Sequence, residues 1–231
     1  MAVSCLVYEL GSIDYTSALY LQNALLSARQ AGTIRDTILL LQHSNVITIG
    51  ASGTEEHIVV PHRVLEEENI PIIHVDRGGS ITYHGPGQLI GYFIMNLRTI
   101  GMSLRQFLFN LEEVVISTLD DYSIKAHRDP NYRGVWVGND KICAVGLRLD
   151  HGCTKHGFAL NVSTDLRYFE YIVPCSIRDK GVTSMSSLLG NRIKPEEISV
   201  CLLDHCADIF DLSYQYGTEE PFHGNCEYVP A

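Results

Sequence analysis

Paired cysteines at metal or redox spacing are missing from this chain. Its seven cysteines, at positions 5, 143, 153, 175, 201, 206 and 226, contain no C-x-x-C and leave one over. In a chain of 231 residues this argues against a disulfide framework and for reduced thiols, hence a cytoplasmic setting. No apolar run is long enough to cross a bilayer, so no membrane association is expected. The N-terminal stretch MAVSCLVYELGSIDY carries neither the basic start of a secretory signal nor the Arg-rich, acid-poor character of a transit peptide. Positive charge is scarce, with 17 Lys and Arg against 27 Asp and Glu and a net charge of −10. It is also uneven: residues 77–180 hold 12 basic against 10 acidic side chains, the remainder 5 against 17. That distribution offers no continuous basic face for nucleic acid, although the near-neutral middle can meet an acidic protein locally. Neither GxGxxG nor GxxxxGK[ST] is present, which removes the common phosphate loops.

What is present is a well-mixed globular sequence. Hydrophobic residues make up 45% of the chain, enough for one good core, and residues 1–231 are expected to form one domain. Strand-like and helix-like patterns interleave without repeat or linker. DYTSALYLQNALLSARQAG reads as a helix with Asp14 as N-cap and a stop at Gly32. TILLLQH, VITIG and IPIIHVD read as strands, RVLEEENI as a short helix, and MSLRQFLFNLEEVVISTLDDY as a long helix capped by Ser103. GVWVGNDKICAVGLRL is two apolar runs around Gly138-Asn139-Asp140, a hairpin signal, and KHGFALNVS follows as a further strand. KPEEISVCLLDHCADIF reads as the last helix, with Pro195 in its first turn. Adjacent hairpins favour an α+β fold with a mixed, largely antiparallel sheet flanked by helices.

One stretch is odd. In RGGSITYHGPGQLIGYFIMNL, residues 77–97, an apolar strand is interrupted by Gly-Pro-Gly directly after Tyr83 and His84. Turns alone explain the glycines. They do not explain why Arg77, Tyr83, His84 and Gln88, all able to hydrogen-bond, crowd at the mouth of the strand. On spacing alone a pocket rim and plain turn structure both stay open.

RGGSITYHGPGQLIGY resembles the signature of the lipoyl(octanoyl) transferase family, the octanoyl-carrier-protein:protein octanoyltransferases of lipoate biosynthesis. DKICAVGLRL, KHGFALNVSTDL and IVPCSIRDKGVTSM extend the resemblance, in the family's order, over nearly the whole chain. It implies a biotin/lipoate-protein ligase-like fold around an acyl-binding tunnel. It also implies a reaction: Cys175 takes an octanoyl group from octanoyl-acyl carrier protein as a thioester and passes it to a lysine of a lipoyl domain. The acceptors it implies are 2-oxoacid dehydrogenase complexes and the glycine cleavage H protein. Lys141 is implied as the partner that lowers the thiol pKa and shuttles protons. The implied substrate-binding residues are Arg77, Gly78, Gly79, Ser80, Ile81, Thr82, Tyr83 and His84, then Ala144, Val145 and Gly146, then Gly157, Phe158 and Ala159. No cofactor, metal or ATP is implied.

Beside that resemblance the residues have their own readings. Cys175 follows an apolar YIV and Pro174, where a buried segment is turned into a loop, and a free thiol with a pKa of about 8.5 needs a nearby cation or base to react. Lys141, first after the hairpin turn, reads equally as an exposed turn residue. For the reaction that the resemblance implies, backbone N–H groups of Gly78-Gly79 and of Gly157-Phe158-Ala159 are the expected oxyanion donors, with His84 nearby as a further one. Cys143, two residues beyond Lys141, is expected on the same strand face, either as a small buried hydrophobe or as a redox partner of Cys175. Cys201 and His205, at i and i+4 on the last helix, lack a second ligand pair, and buried packing is the expected role of Cys201 and Cys206. His156 is expected to hydrogen-bond locally and Trp136 to fill the core. Departures from the family pattern are Ser176 for Gly, Phe93 for Pro and Cys143 for Ala, none of which removes a catalytic group. Three rivals follow: an ATP-dependent lipoate or biotin ligase, an amidotransferase between lipoyl-type domains, and a noncatalytic binding module.

Overall fold

The computed structural model describes residues 3–173 and 180–218. Along the chain come β1 (Val3–Ser12), α1 (Tyr15–Gln30), β2 (Asp36–Gln42), β3 (Val46–Ile49), α2 (His62–Glu67), β4 (Ile72–His74), β5 (Ile81–His84) and β6 (Gln88–Ile94). Then follow α3 (Leu104–Asp121), β7 (His127–Arg128), β8 (Val135–Val137), β9 (Asp140–Asp150), β10 (Cys153–Asn161), β11 (Gly181–Val182), α4 (Met185–Leu189), α5 (Pro195–Phe210) and β12 (Leu212–Tyr216). Short 3-10 turns occupy Glu55–His57 and Leu166–Tyr171.

The helix ends follow from side-chain chemistry. Asp14 accepts the Ser17 N–H at 2.9 Å to open α1, and Ser103 accepts the Gln106 N–H at 3.2 Å to open α3. Pro195, whose missing N–H costs nothing in a first turn, opens α5.

The large sheet runs β12-β1-β2-β6-β10-β9-β8-β7, with β11 added beside β9. Its centre and far side, from β2 through β7, are antiparallel as the hairpins imply, but β12, β1 and β2 are parallel to one another. Every residue of β6 is buried, because both faces of the sheet are covered. On one face α3 and α5 bring Phe107, Leu111, Val114, Leu202 and Phe210 against Phe93, Cys143 and Leu160. On the other, Leu25 of α1 packs with Leu39, Ile90 and Tyr92. No helix among the described residues is long and apolar enough to cross a membrane.

A second, three-stranded sheet, β4-β3-β5, has its own apolar cluster of Ile47, Ile49, Ile81, Tyr83 and Ile172. This explains the interrupted strand. β5 ends at His84 in the small sheet and β6 begins at Gln88 in the large one, so Gly85-Pro86-Gly87 is where the chain changes sheets. Gly87 has φ +84°, and a Cβ on it would lie 2.6 Å from the Ser163 backbone. Only glycine fits there.

Candidate functional site

Between the two sheets lies a cavity of about 340 Å³, at the small end of the range, roughly 300 to 1,000 Å³, usual for small-molecule sites. One wall is the Arg77–Thr82 loop and strand. A second is Ala144, Val145 and Gly146 of β9 with Gly157, Phe158 and Ala159 of β10, and Tyr15, His84, Gln88, Tyr92, Lys141 and His156 also face it. The two walls touch through backbone. The Gly78 N–H donates to Leu147 O at 2.9 Å, and a Cβ on Gly146 would come within 2.6 Å of Gly78 O.

A buried chain of hydrogen bonds runs behind the cavity, and its directions are set by its two ends. A guanidinium can only donate, so Arg77 Nη2 donates to Thr48 Oγ1 at 2.8 Å. The Thr48 hydroxyl is then free to donate to His84 Nε2 at 3.2 Å. That leaves the His84 proton on Nδ1, which donates to Gln88 Oε1 at 2.8 Å. The Gln88 amide donates to Asn161 Oδ1 at 2.9 Å, and Asn161 Nδ2 donates to Thr183 O at 3.1 Å, a carbonyl that can only accept. The Thr183 N–H in turn donates to Lys141 O at 3.0 Å. The relay therefore joins the small sheet, the large sheet and the strand that carries Lys141. Burial pushes the His84 pKa well below its usual value, so the imidazole is neutral, as this pattern requires.

His43 shows the same logic. Its Nδ1–H donates to Ile13 O at 2.8 Å, so Nε2 accepts the Tyr92 hydroxyl at 2.7 Å, and burial lowers its pKa to about 4. Tyr15 stacks on His84 with ring centroids 5.7 Å apart, and burial raises its phenol to about 12.

His156 is the strained residue of the site, with φ +61°, a backbone conformation that costs a non-glycine residue about 1 to 3 kcal/mol. Its N–H donates to Gln22 Oε1 at 2.8 Å, which helps hold it there. The Asp76 carboxylate lies 2.9 Å from His156 Nε2 and 3.1 Å from Lys155 Nζ. The His156 hydrogen bond, followed by Lys155, keeps that carboxyl far below its usual pKa. A carboxylate only accepts, so the His156 proton sits on Nε2. Its Nδ1 is then an acceptor, buried and without a hydrogen-bond partner among the described residues. The expectation that His156 bonds locally is corrected: its partner is 80 positions away.

Lys141 lies at the cavity edge with Nζ 4.8 Å from the centroid of the Trp136 ring, and Lys180 reaches the same ring at 4.5 Å while pairing with Asp129. Trp136 is buried, as expected, but it also carries these two cations. β11 lies along the start of β9, pairing Val182 with Lys141. Cys175 lies outside the described residues. Before it in sequence, Phe169 lines the cavity; after it, Val182 does.

Among the described residues, the expected site residues converge with one exception. Arg77, Gly78, Gly79, Ser80, Ile81, Thr82, His84, Lys141, Ala144, Val145, Gly146, Gly157, Phe158 and Ala159 all line the cavity. Tyr83 does not. Its side chain packs in the small sheet's core, where its hydroxyl donates to Asn45 Oδ1 at 2.9 Å and its ring stacks on Tyr168. Two further corrections concern backbone and register. The Gly78 N–H is spent on Leu147, His84 on Gln88 and Thr48, and β10 is paired on both sides, which leaves the Gly79 N–H as the donor with no partner among the described residues. Cys143 does not share the face of Lys141: a register shift pairs Val135 with Cys143 but Trp136 with Lys141. Cys143 points into the core beneath α3 and α5, where burial raises its thiol far above the usual value. Thr48, Tyr15, Tyr92 and Asn161 escaped the sequence reading because nothing local marks them; their partners lie across the fold.

Residues 14–207 match the family model described as the lipoyl protein ligase A/B catalytic domain. The chain is similar to an octanoyltransferase of Solibacter usitatus (strain Ellin6076), 47% identical over 208 residues that cover 90% of this chain and 94% of that one. An octanoyltransferase of Caldicellulosiruptor saccharolyticus is 41% identical over 216 residues, covering 93% and 92%. In fold the chain is similar to lipoate-protein ligase A bound with ATP, with TM-score 0.77, 18% identity and 96% and 91% of the two chains covered. The biotin protein ligase of Aquifex aeolicus in complex with biotin and ATP follows at TM-score 0.56 and 16% identity, covering 89% and 70%.

Proposed function

Because the chain belongs to the lipoyl protein ligase A/B catalytic domain family and is an acyltransferase, we propose that it moves an octanoyl group from octanoyl-acyl carrier protein to a lysine of a lipoyl domain. In this reading residues 1–231 are one catalytic domain, working in the cytoplasm. Its acceptors are the lipoyl domains of 2-oxoacid dehydrogenase complexes and the glycine cleavage H protein. The Cys175 thiolate attacks the thioester carbonyl, the bond from the acyl carbon to the carrier's sulfur breaks, and that sulfur leaves, taking its proton from the Lys141 ammonium. The acceptor amine then attacks the Cys175 thioester, an amide forms, and the thiolate is regenerated as the amine's proton passes to the now neutral Lys141, which restores the ammonium. Thioester to thioester to amide runs downhill without ATP, and the covalent intermediate means that donor and acceptor proteins never bind together.

One observation carries this reading. Phe169, earlier in sequence than Cys175, and Val182, later, both line the cavity, and Val182 pairs with Lys141. The apolar wall of Ala144, Val145, Phe158 and Ala159 suits an alkyl tail. In this reading the Gly79 N–H donates to the tetrahedral oxyanion, and the Lys141 ammonium favours the thiolate at about 1.4 kcal/mol per pKa unit.

Intact-mass measurement after incubation with octanoyl-carrier protein and no ATP tests it. Wild type should gain one octanoyl group, and Cys175→Ala should lose both adduct and turnover while keeping its fold. Undiminished turnover in Cys175→Ala removes the thioester route, and turnover only with ATP and free acid would instead favour a ligase. Lys141→Ala should shift the pH profile of Cys175 alkylation upward, and superimposable profiles reject its role.

A further inference from the structure

At the far side of the α3/α5 layer, three side chains of different chemistry meet. Cys201 and His205 stand one turn apart on α5, and Asp121 is the last residue of α3. Asp121 Oδ2 accepts from Cys201 Sγ at 2.9 Å and lies 2.8 Å from His205 Nε2. The three ligand atoms all lie within 4.8 Å of one another. None of the three residues lines the cavity, so the catalytic reading makes no use of them. The sequence showed only the i, i+4 pair; the fold supplies a third donor from 80 positions away. Cys201, expected as a buried packing residue, is half-buried and reaches this cluster instead, while Cys206 is buried.

We propose that Asp121, Cys201 and His205 bind one divalent cation of the zinc class at this surface. The donor set argues the class. A thiolate with an imidazole suits a borderline-soft ion such as Zn²⁺ and disfavours Mg²⁺ and Ca²⁺, which prefer oxygen cages. The charge count fits too: a carboxylate, a thiolate and a neutral imidazole balance a dication. Binding forms metal–sulfur, metal–nitrogen and metal–oxygen bonds and releases the Cys201 proton to solvent, with no change of oxidation state. Tetrahedral zinc bonds of about 2.0 to 2.3 Å place neighbouring ligand atoms about 3.3 to 3.6 Å apart. The two hydrogen-bond contacts must therefore open by about half an ångström, and the Cys201–His205 pair, within 4.8 Å, must close by about one. Asp121, with its side chain 54% exposed, is free to make that adjustment. Its place at the C-terminal end of α3, the negative end of the helix dipole, favours a cation further. Water completes the fourth position. The bound ion would fasten the end of α3 to the middle of α5, the two helices that cover one face of the core.

The test uses the full-length, untagged protein, stripped with a chelator and titrated with cobalt(II) chloride as an optical probe and with zinc chloride. Wild type should take up one equivalent of cobalt with a thiolate-to-cobalt charge-transfer band, and zinc should displace it. Zinc should also raise the Tm. Cys201→Ser should abolish the band, and His205→Gln and Asp121→Asn should each weaken binding at least about tenfold, while octanoyl transfer stays at the wild-type rate in all three. Absence of a charge-transfer band in wild type overturns the proposal. So does a band that survives Cys201→Ser or disappears in Cys175→Ala, since either places the metal elsewhere. Matching apo-state Tm values for variants and wild type guard against loss of binding through misfolding.

Discussion

Replacing Gln88 with leucine breaks the buried relay at its middle link. Gln88 is 1% exposed, and both of its side-chain bonds to the relay are buried. Its oxygen accepts from His84 Nδ1 at 2.8 Å and its amide donates to Asn161 Oδ1 at 2.9 Å. Leucine has nearly the same volume and strands both partners. Each orphaned buried group costs about 1 to 3 kcal/mol, or about 2 to 6 for the two. The extra apolar surface that leucine buries returns about 1 to 2 kcal/mol. At the middle of both ranges, about 4 less about 1.5, the net loss is about 2.5 kcal/mol, a large part of the roughly 5 to 15 that typically stabilises a domain. His84 cannot escape by changing tautomer. A proton on Nε2 would point at the Thr48 hydroxyl, leaving that hydroxyl without its acceptor and Nδ1 without a donor, so the orphan only moves. Urea unfolding followed by Trp136 fluorescence measures the loss, which should appear in the midpoint with an unchanged m-value. Because the relay ends on the Thr183 carbonyl beside Lys141, turnover should fall as well. A stability change under about 0.5 kcal/mol, the range of ordinary surface substitutions, would refute the relay as drawn.

Acid should destabilise the fold earlier than its carboxylates alone require. His43 stays neutral in the folded protein down to about pH 4, whereas in the unfolded chain it titrates near 6.5. Between those values the unfolded state binds more protons, so this group's contribution is intact above about pH 6.5 and is lost as pH falls toward 4. The slope is up to about 1.4 kcal/mol per pH unit for this residue, and the buried His84 and His156 are shifted the same way. Unfolding free energies equal at pH 7 and pH 5 would contradict this. Chain length gives a further check on the cavity as the acyl site. Carrier donors of six, eight and ten carbons should show a peak in kcat/KM at eight, since two lost methylenes cost about 1.6 kcal/mol, or roughly fifteenfold, and two added ones overpack a closed end. Equal values across these donors would point to an open groove.

Local chemistry made much of the fold readable and stopped where partners are distant. Asp14, Ser103 and Pro195 announce helix starts because capping acts within one turn. The Gly138-Asn139 turn announces the β8–β9 hairpin for the same reason. β1 and β12 were not recognised as strands: they form a parallel pair, Val3 opposite Leu212, whose partners no short pattern connects. At the site, the runs containing Gly79 and Gly157 were legible through the family resemblance, and all but Tyr83 line the cavity. Tyr83 and Cys143 fail for opposite reasons. Partners in the small sheet's core, Asn45 and Tyr168, draw Tyr83 out of a run that otherwise lines the cavity, whereas a register shift breaks the alternation that would have put Cys143 beside Lys141. The relay from Arg77 to Thr183 was invisible, since its links span up to 73 positions.

Trp136 is the chain's one tryptophan, and the ammonium groups of Lys141 and Lys180 both lie on its ring. Indole emission depends on the charges around the ring, so moving either ammonium alters it, and no second indole dilutes the change. Under the catalytic reading, acyl loading of Cys175 removes the thiolate that draws on Lys141, and discharge restores it. The protein thus carries its own optical reporter at the reacting end of the cavity. Stopped-flow fluorescence on unlabelled protein should resolve loading and discharge as two separate phases, and Lys141→Met should silence that response while leaving Trp136 in place.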